Sequence, residues 1–482
     1  MVNRASQIPS TLAGGAIARG AAFTIRGVRF GSSAAVSVRN GNVVLPVRVL
    51  AVEPEKIEAL MPDAAPLGRA ALVVTAGGSS SKPFSMEIAA SNPGIFSQNK
   101  MGWGPGQIDN IDTLGKRALN SNVNPAMPGQ RVAMNITGLG KGIAARVVVG
   151  NRTVTAGAAR TTSPTGEQEI SFPLPPDTPL GCFVPVYLEA SPTRASNVVT
   201  IAVQSAANRS ARCDSGPIPS LEAKRVGMAV VTRSNIYKSG GNSDKVEAIA
   251  TFAVRDPAHS LSPLLLLPPP GTCTAYTSSL QATNTQITVS TSLYGELGTE
   301  GLAAGPQLAV SRDNRRRIIP WDRGSVGYYH AHLPPRFFNP GKFFLSGPGG
   351  IDVAAFRVMS EVPAPFEWTD REQTQVVTRS HSLALHWRGQ ANGRWTILLA
   401  TNVDQVSTAI GTCLCTAPLN ATHFEIPPAL LANIPASSNA PGYPYDQIFV
   451  SMLSKAVPLK AAGIGAGTLF TVYSNGRAVQ FH

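Results

Sequence analysis

Residues 66–75 read PLGRAALVVT, and residues 179–188 read PLGCFVPVYL, 113 positions further on. Each follows a run that ends in proline, IEALMP at 57–62 and ISFPLP at 170–175. Pro-Leu-Gly is turn chemistry, and the apolar, β-rich run behind it reads as a strand. Around both copies the same order recurs. GAAFTIRGVRF (20–30) and GQRVAMNITGLG (129–140) supply a first strand with alternating apolar positions. AAVSVRNGNVVLPVRVLAV (34–52), carrying the hairpin pair Asn40-Gly41, corresponds to RVVVGNRTVTAG (146–157). RAALVVTAGGSSSKPFSMEIA (69–89) corresponds to CFVPVYLEASPTRASNVVTIAV (182–203). The echo is a duplication of a module of roughly 110 residues, the size of an Ig-like sandwich.

The totals agree with a chain built from short strands. Charged residues are only 14% of 482, against 43% hydrophobic, 45 glycines and 39 prolines. Low charge with this turn punctuation favours β-sandwiches over helical bundles. No apolar stretch reaches the roughly 18–20 residues of a membrane-spanning helix. The longest, LLLLPPP at 264–270, is cut by prolines and reads as a buried strand or core-packed loop. The 41 basic and 28 acidic residues give a formal charge of +13 without a long Lys/Arg block. The densest point, Arg315-Arg316-Arg317, reads as a solvated turn. The only helix expected is a short turn in PPALLANIP, bounded by Pro427 and Pro435.

Taken together, the runs G…FTIRG…F, EPEKIEALMPDAAPLGRAALVVT and NPGIF resemble the IPT/TIG-like Ig domains of the Solibacter-type, acidobacterial C-terminal domain family. The second copy, VVVG…QEISFPLP…PLGCFVPVYLEA…SNVVTIAV, is similar to the same family, so the resemblance covers about residues 1–205. It implies a fold and a secreted setting, and no catalytic residues. Beyond Asp214, the order FFNPGKFFLSGPGGIDVAAFRV, VVTRSHSLALHWRGQANGRWTILLA and TCLCTAPLNATHFEIPPALLANIP resembles β-rich modules of uncharacterised acidobacterial secreted proteins. The expectation is therefore an all-β chain of four tandem Ig-like sandwich modules. They are a first at 1–102, its repeat at 103–206, a third at 207–362 and a last at 363–482, joined by linkers of a few residues into a semi-rigid rod.

Cysteine placement points to an oxidising compartment. Cys182 opens a strand and Cys213 follows its return strand, so the two are expected to pair. Cys273 has Cys413 or Cys415 as partner, leaving one odd. Cys415 is the one that matches the resembled family's pattern, and Cys413 is an addition to it. The start of the chain lacks the charged and apolar regions of an export signal, for which a trimmed start is expected.

Motifs for catalysis are thin. There is no G-x-S-x-G, H-E-x-x-H or P-loop, and Gly347-Pro348-Gly349-Gly350 reads as a hairpin turn. His330 and His332, beside Tyr328 and Tyr329, place two imidazoles on one face of a strand, but no third metal ligand stands near them in the sequence. His381 and His386 with Trp387 and Trp395 read as core packing ahead of a ligand groove. Glu296 and Glu300 lie in loops without an apolar pocket. The sequons at Asn135, Asn151, Asn208 and Asn420 carry no weight in a bacterial chain. No catalytic residue, cofactor or bound metal is expected. Three readings of function are ranked: an extracellular or cell-surface structural or adhesive protein, self-assembling through edge strands; a polysaccharide-binding array; and, last, DNA binding, for which clustered Lys/Arg is lacking.

Overall fold

The structure, a computed structural model, describes all residues except 13, 192–193, 206, 208–212, 217–221, 238–240, 256–265, 280–299, 323, 391–392, 401–408 and 438–445. Strands dominate it, and the tandem organisation is that of an all-β sandwich protein.

The two Pro-Leu-Gly turns do the same local work. Each glycine opens a strand with its backbone in the region that favours glycine, φ +95° at Gly68 and +155° at Gly181. Each preceding leucine stays out of the core, 48% exposed at Leu67 and 49% at Leu180. Gly181 has a second constraint, because a Cβ there would lie 3.0 Å from Pro269.

Six strands of five residues or more build the first unit: β1 (Ala22–Arg26), β2 (Ala35–Asn40), β3 (Val43–Glu53), β4 (Lys56–Leu60), β5 (Gly68–Ala76) and β6 (Phe84–Ala89). β1 pairs with β4, β2 with β3 and β5, and β5 with β6, all antiparallel. The second unit has β7 (Arg131–Thr137), β8 (Ala144–Val149), β9 (Arg152–Ala158), β10 (Gln168–Pro173), β11 (Gly181–Ser191) and β12 (Val199–Val203). There β7 pairs with β10, β8 with β9 and β11, and β11 with β12. Gly68 stands opposite Ile88, and Gly181 opposite Val203. One departure lies where the chain changes sheets. β3 crosses as a single strand with a register shift at Val49/Ala51, whereas the second unit breaks into β9 and a short piece at Arg160–Thr161. Each unit closes over its own core, with Phe23 and Ile57 in the first and Phe172 and Ile170 in the second almost fully buried.

Two expected boundaries need correction. Gly94–Ile95 already pairs with Thr137 and Ile136 of β7, so the second unit begins before residue 103. The junction is not a bare linker, since buried side chains fill it. Asn92 donates to the Gly14 and Ala16 carbonyls at 2.7 and 2.6 Å, and Ala22 N donates to Thr137 Oγ1 at 3.0 Å. Side-chain groups used in this way satisfy backbone that would otherwise be buried unpaired.

The boundary near 363 fails for a topological reason. β13 (Arg225–Tyr237), β14 (Ser243–Val254), β15 (Thr272–Ser279), β22 (Gly393–Ala400), β23 (Ala409–Ala417), β25 (Asp446–Ser454) and β26 (Ala466–Phe481) form one sheet in the order β15-β23-β22-β25-β26-β13-β14. Its centre is a parallel pairing of β13 with β26, from Val226/Ala466 to Tyr237/Arg477. A cut at 363 would split that pair. β18 (Tyr328–Leu333) adds to the outer side of β14.

Both faces of this sheet are covered. One carries Met228, Phe470, Phe449, Leu398 and Leu414 in a continuous core, reached at the β15 margin by Cys182 and Phe183 of the second unit. The other face is covered in two halves. β16 (Gln307–Arg312), β17 (Arg315–Pro320), β19 (Gly341–Gly347) and β20 (Phe356–Val362) cover β13 and β14. β21 (Leu383–Arg388), β24 (His423–Ile426), Glu367–Trp368 and the short helix α1 (Pro428–Leu431) cover the rest. Burial on both faces explains the near-continuous apolar runs of β13, β14 and β25, which alternation alone does not distinguish from a helix. The semi-rigid rod of separately linked modules gives way to units with shared cores. Arg315-Arg316-Arg317, read as a turn, lies instead on β17 at the edge of its sheet, with the turn at Asp313-Asn314. Charge on an edge strand blocks pairing with a second chain.

Candidate functional site

The cysteines come together in two places. Cys182, at the head of β11, is bonded to Cys213, with Cα atoms 5.0 Å apart, and Cys182 N donates to Asp214 O at 3.0 Å. Cys273 on β15 is directly opposite Cys415 on β23 and bonded to it, Cα to Cα 4.0 Å. The odd thiol is Cys413, fully buried, its Sγ 3.9 Å from that of Cys415. Burial pushes its pKa up to about 12, so it stays protonated and inert at neutral pH. Three sulfur atoms sit close together here, but two are consumed by the disulfide and none faces solvent.

The histidines of β18 have a partner that sequence distance concealed. Glu247 on β14 stands opposite His332, and Ile249 opposite His330. Because His330 and His332 are two apart on a strand, both rings emerge on the side from which Glu247 rises. His330 Nε2 lies 3.2 Å and His332 Nδ1 3.4 Å from the same oxygen, Glu247 Oε1. The missing third ligand of the sequence reading is thus supplied by the neighbouring strand. The cluster grades from buried to open: side-chain exposure is 6% at Glu247, 27% at His330 and 67% at His332. The His330 imidazole, hydrogen-bonded to Glu247, holds its carboxyl below the ordinary carboxylate value against the opposing effect of burial. Tyr328 flanks His330 with nearly parallel rings, centroids 6.4 Å apart, and its phenol pKa is raised by burial and then by Asp322 and Glu247. A glutamate inside KVEAIATFAV, followed by a run whose one polar residue is Thr251, was the signal in the sequence for a buried charge needing company.

The remaining candidates go elsewhere. Trp387 and Trp395 are 2% and 1% exposed and pack on each other, centroids 5.5 Å apart, so neither can stack on a sugar. Of the five tryptophans only Trp321 is strongly exposed, at 40%. His386 bonds Asp370 at 2.7 Å and stacks on His423, while His381 meets Ser380. Gly347 ends β19, and residues 348–355 form a loop, longer than the expected hairpin turn, that leads to the antiparallel β20. Glu300, read as a loop residue, pairs instead with Val254 of β14, while Glu296 and Asn208 fall outside the described residues.

No family model matches the chain, and no curated protein does. Among solved structures it is similar to SGBP-B of the Bacteroides ovatus mixed-linkage glucan utilization locus, determined with a heptasaccharide. That match has 13% identity and a TM-score of 0.22, over 39% of this chain and 45% of that one. SGBP-B from a xyloglucan utilization locus of Bacteroides uniformis matches at 13% identity over 67% and 84% of the two chains, TM-score 0.16. Sidekick-1 immunoglobulin domains 1–5 match at 10% identity over 96% of each, TM-score 0.13. Similarity this slight bears on neither ligand nor role, which rest on the chain's own residues.

Proposed function

We propose that this is a non-catalytic, extracellular or cell-surface protein that acts as a disulfide-braced β-scaffold. The observation that carries the reading is the pair of disulfides, one where the second unit meets the large sheet and one between adjacent strands inside that sheet. Cys182–Cys213 sits on the core shared by the second unit and the large sheet, and Cys273–Cys415 ties the sheet's margin. Such bonds persist in oxidising compartments and are reduced in cytosol. Non-reducing peptide mapping of native material from the cell exterior tests it. Recovery of both disulfides there supports the reading, whereas recovery of all five cysteines as thiols from cytosol refutes it.

A self-assembling version has one specific support. β9, the VVVGNRTVT hairpin's second strand, is the outermost strand of its sheet, and six of its seven positions are partly or wholly exposed. A second chain could add there as a further strand. Sedimentation across a concentration series tests it, and a monomer at every concentration rules it out. The polysaccharide reading is weaker, because the tryptophans it relied on are in the core. Among the described residues Trp321 is the exposed tryptophan left to support it.

A further inference from the structure

We infer that Glu247, His330 and His332 form a binding site for a divalent first-row transition metal, zinc foremost, with three protein ligands and the remaining coordination open to solvent. This goes beyond the scaffold reading and does not depend on it.

Donor chemistry comes first. Two imidazole nitrogens and a carboxylate oxygen are the set that zinc takes in sites keeping one position for water. It is unlike the all-oxygen surroundings that calcium and magnesium prefer. Geometry comes second. Metal–ligand bonds of about 2.0–2.2 Å place neighbouring ligand atoms about 3.0–3.5 Å apart. The two ligand separations to Glu247 Oε1 are 3.2 and 3.4 Å, and all three ligand atoms lie within 4.8 Å of one another. The rings of His330 and His332 meet edge to face, centroids 5.1 Å apart, so their nitrogens converge without stacking.

The platform is rigid as well. All three ligands stand on adjacent antiparallel strands, one of them interior to the large sheet, and no loop has to close to assemble them. A purely structural role for the cluster explains these observations less well. A buried carboxylate is ordinarily matched by Arg or Lys, yet among the described residues the ion pairs of Glu247 are with these two imidazoles alone. Both imidazoles also aim at one oxygen, Oε1, where a shared cation satisfies all three groups at once. The graded exposure then gives the site a direction. Glu247 forms the floor, and His332 leaves the fourth position facing water.

The test uses the full chain with its disulfides intact, stripped with a chelator and titrated calorimetrically with Zn²⁺, then with Co²⁺ for its visible spectrum. One equivalent of Zn²⁺ is expected, with a dissociation constant of about 10 µM or tighter. His332→Ala, at an exposed position, is expected to fold as the parent does and to lose at least about tenfold in affinity and the Co²⁺ bands. Zn²⁺ is expected to raise the melting temperature of the parent and leave that of His332→Ala unmoved. His386→Ala, at the other histidine pair, is expected to bind as the parent. The inference is overturned if the parent takes up no Zn²⁺ at about 100 µM. It is equally overturned if His332→Ala binds unchanged, or if His386→Ala is the variant that loses the metal.

Discussion

Replacing both Cys182 and Cys213 by alanine isolates what the first disulfide does for the second unit. The bond closes a loop with a sequence separation of 31, and chain entropy alone makes that worth about 3.7 kcal/mol. Both residues are buried, 6% and 9% exposed, in the core shared with the large sheet, and losing their sulfur atoms adds roughly 1 kcal/mol. A stability change read from bulk unfolding would mix several units, so amide exchange is the suitable assay. Peptides covering β11 and β12, whose strands pair from Gly181/Val203 to Val186/Val199, should exchange about 300- to 3,000-fold faster in the variant. Peptides of β1 and β4 in the first unit should be unchanged. Protection of β11 within about tenfold of the parent would show that the interface, and not the covalent bond, holds that unit in place.

Three further outcomes follow from packing and charge. Cys413 should be silent to a thiol reagent in the native protein and should titrate as one thiol after unfolding, since burial raises its pKa to about 12; a fast native reaction contradicts its placement. Trp395→Phe should cost about 1 kcal/mol more than Trp387→Phe, read from melting curves. Trp395 Nε1 donates to Leu419 O at 3.0 Å, whereas Trp387 Nε1 is buried without an acceptor. The Arg117 guanidinium beside Glu169 holds that carboxyl below its ordinary value of 4.5. Its contribution is therefore present above about pH 4.5 and is lost as pH falls below it. Because Arg117 is half in solvent, Glu169→Gln should remove no more than roughly 1 kcal/mol, and only on the high-pH side; a loss that persists at pH 3 would point to packing instead.

Local signals in the sequence were read to good effect where one residue type decides a backbone angle. Asn40-Gly41 marks a hairpin, and Gly41 has φ +58° between paired Asn40 and Val43. Gly68 and Gly181 mark strand starts for the same reason. What resisted reading were relations between distant strands. β13 and β26 are both apolar on two faces, and nothing in either run says that it lies parallel to the other across 240 residues. Glu247 and His332 are likewise 85 positions apart, and only the register of β14 on β18 makes them neighbours. Arg315-Arg316-Arg317 misled for a different reason: composition suggests solvent, and an edge strand satisfies that as well as a turn does.

The parallel pairing of β13 with β26 also sets a timetable. On a ribosome the first two units each have all their own strands soon after they emerge, and can close at once. The large sheet cannot. Its central strand waits, with apolar residues on both faces, until Ala466–Phe481 is made, and Cys273 waits for Cys415 over a separation of 142. For that interval the chain is a pair of finished domains towing an unfinished one. A holding chaperone, or an export route that carries unfolded polypeptide, would suit it better than release into open solvent.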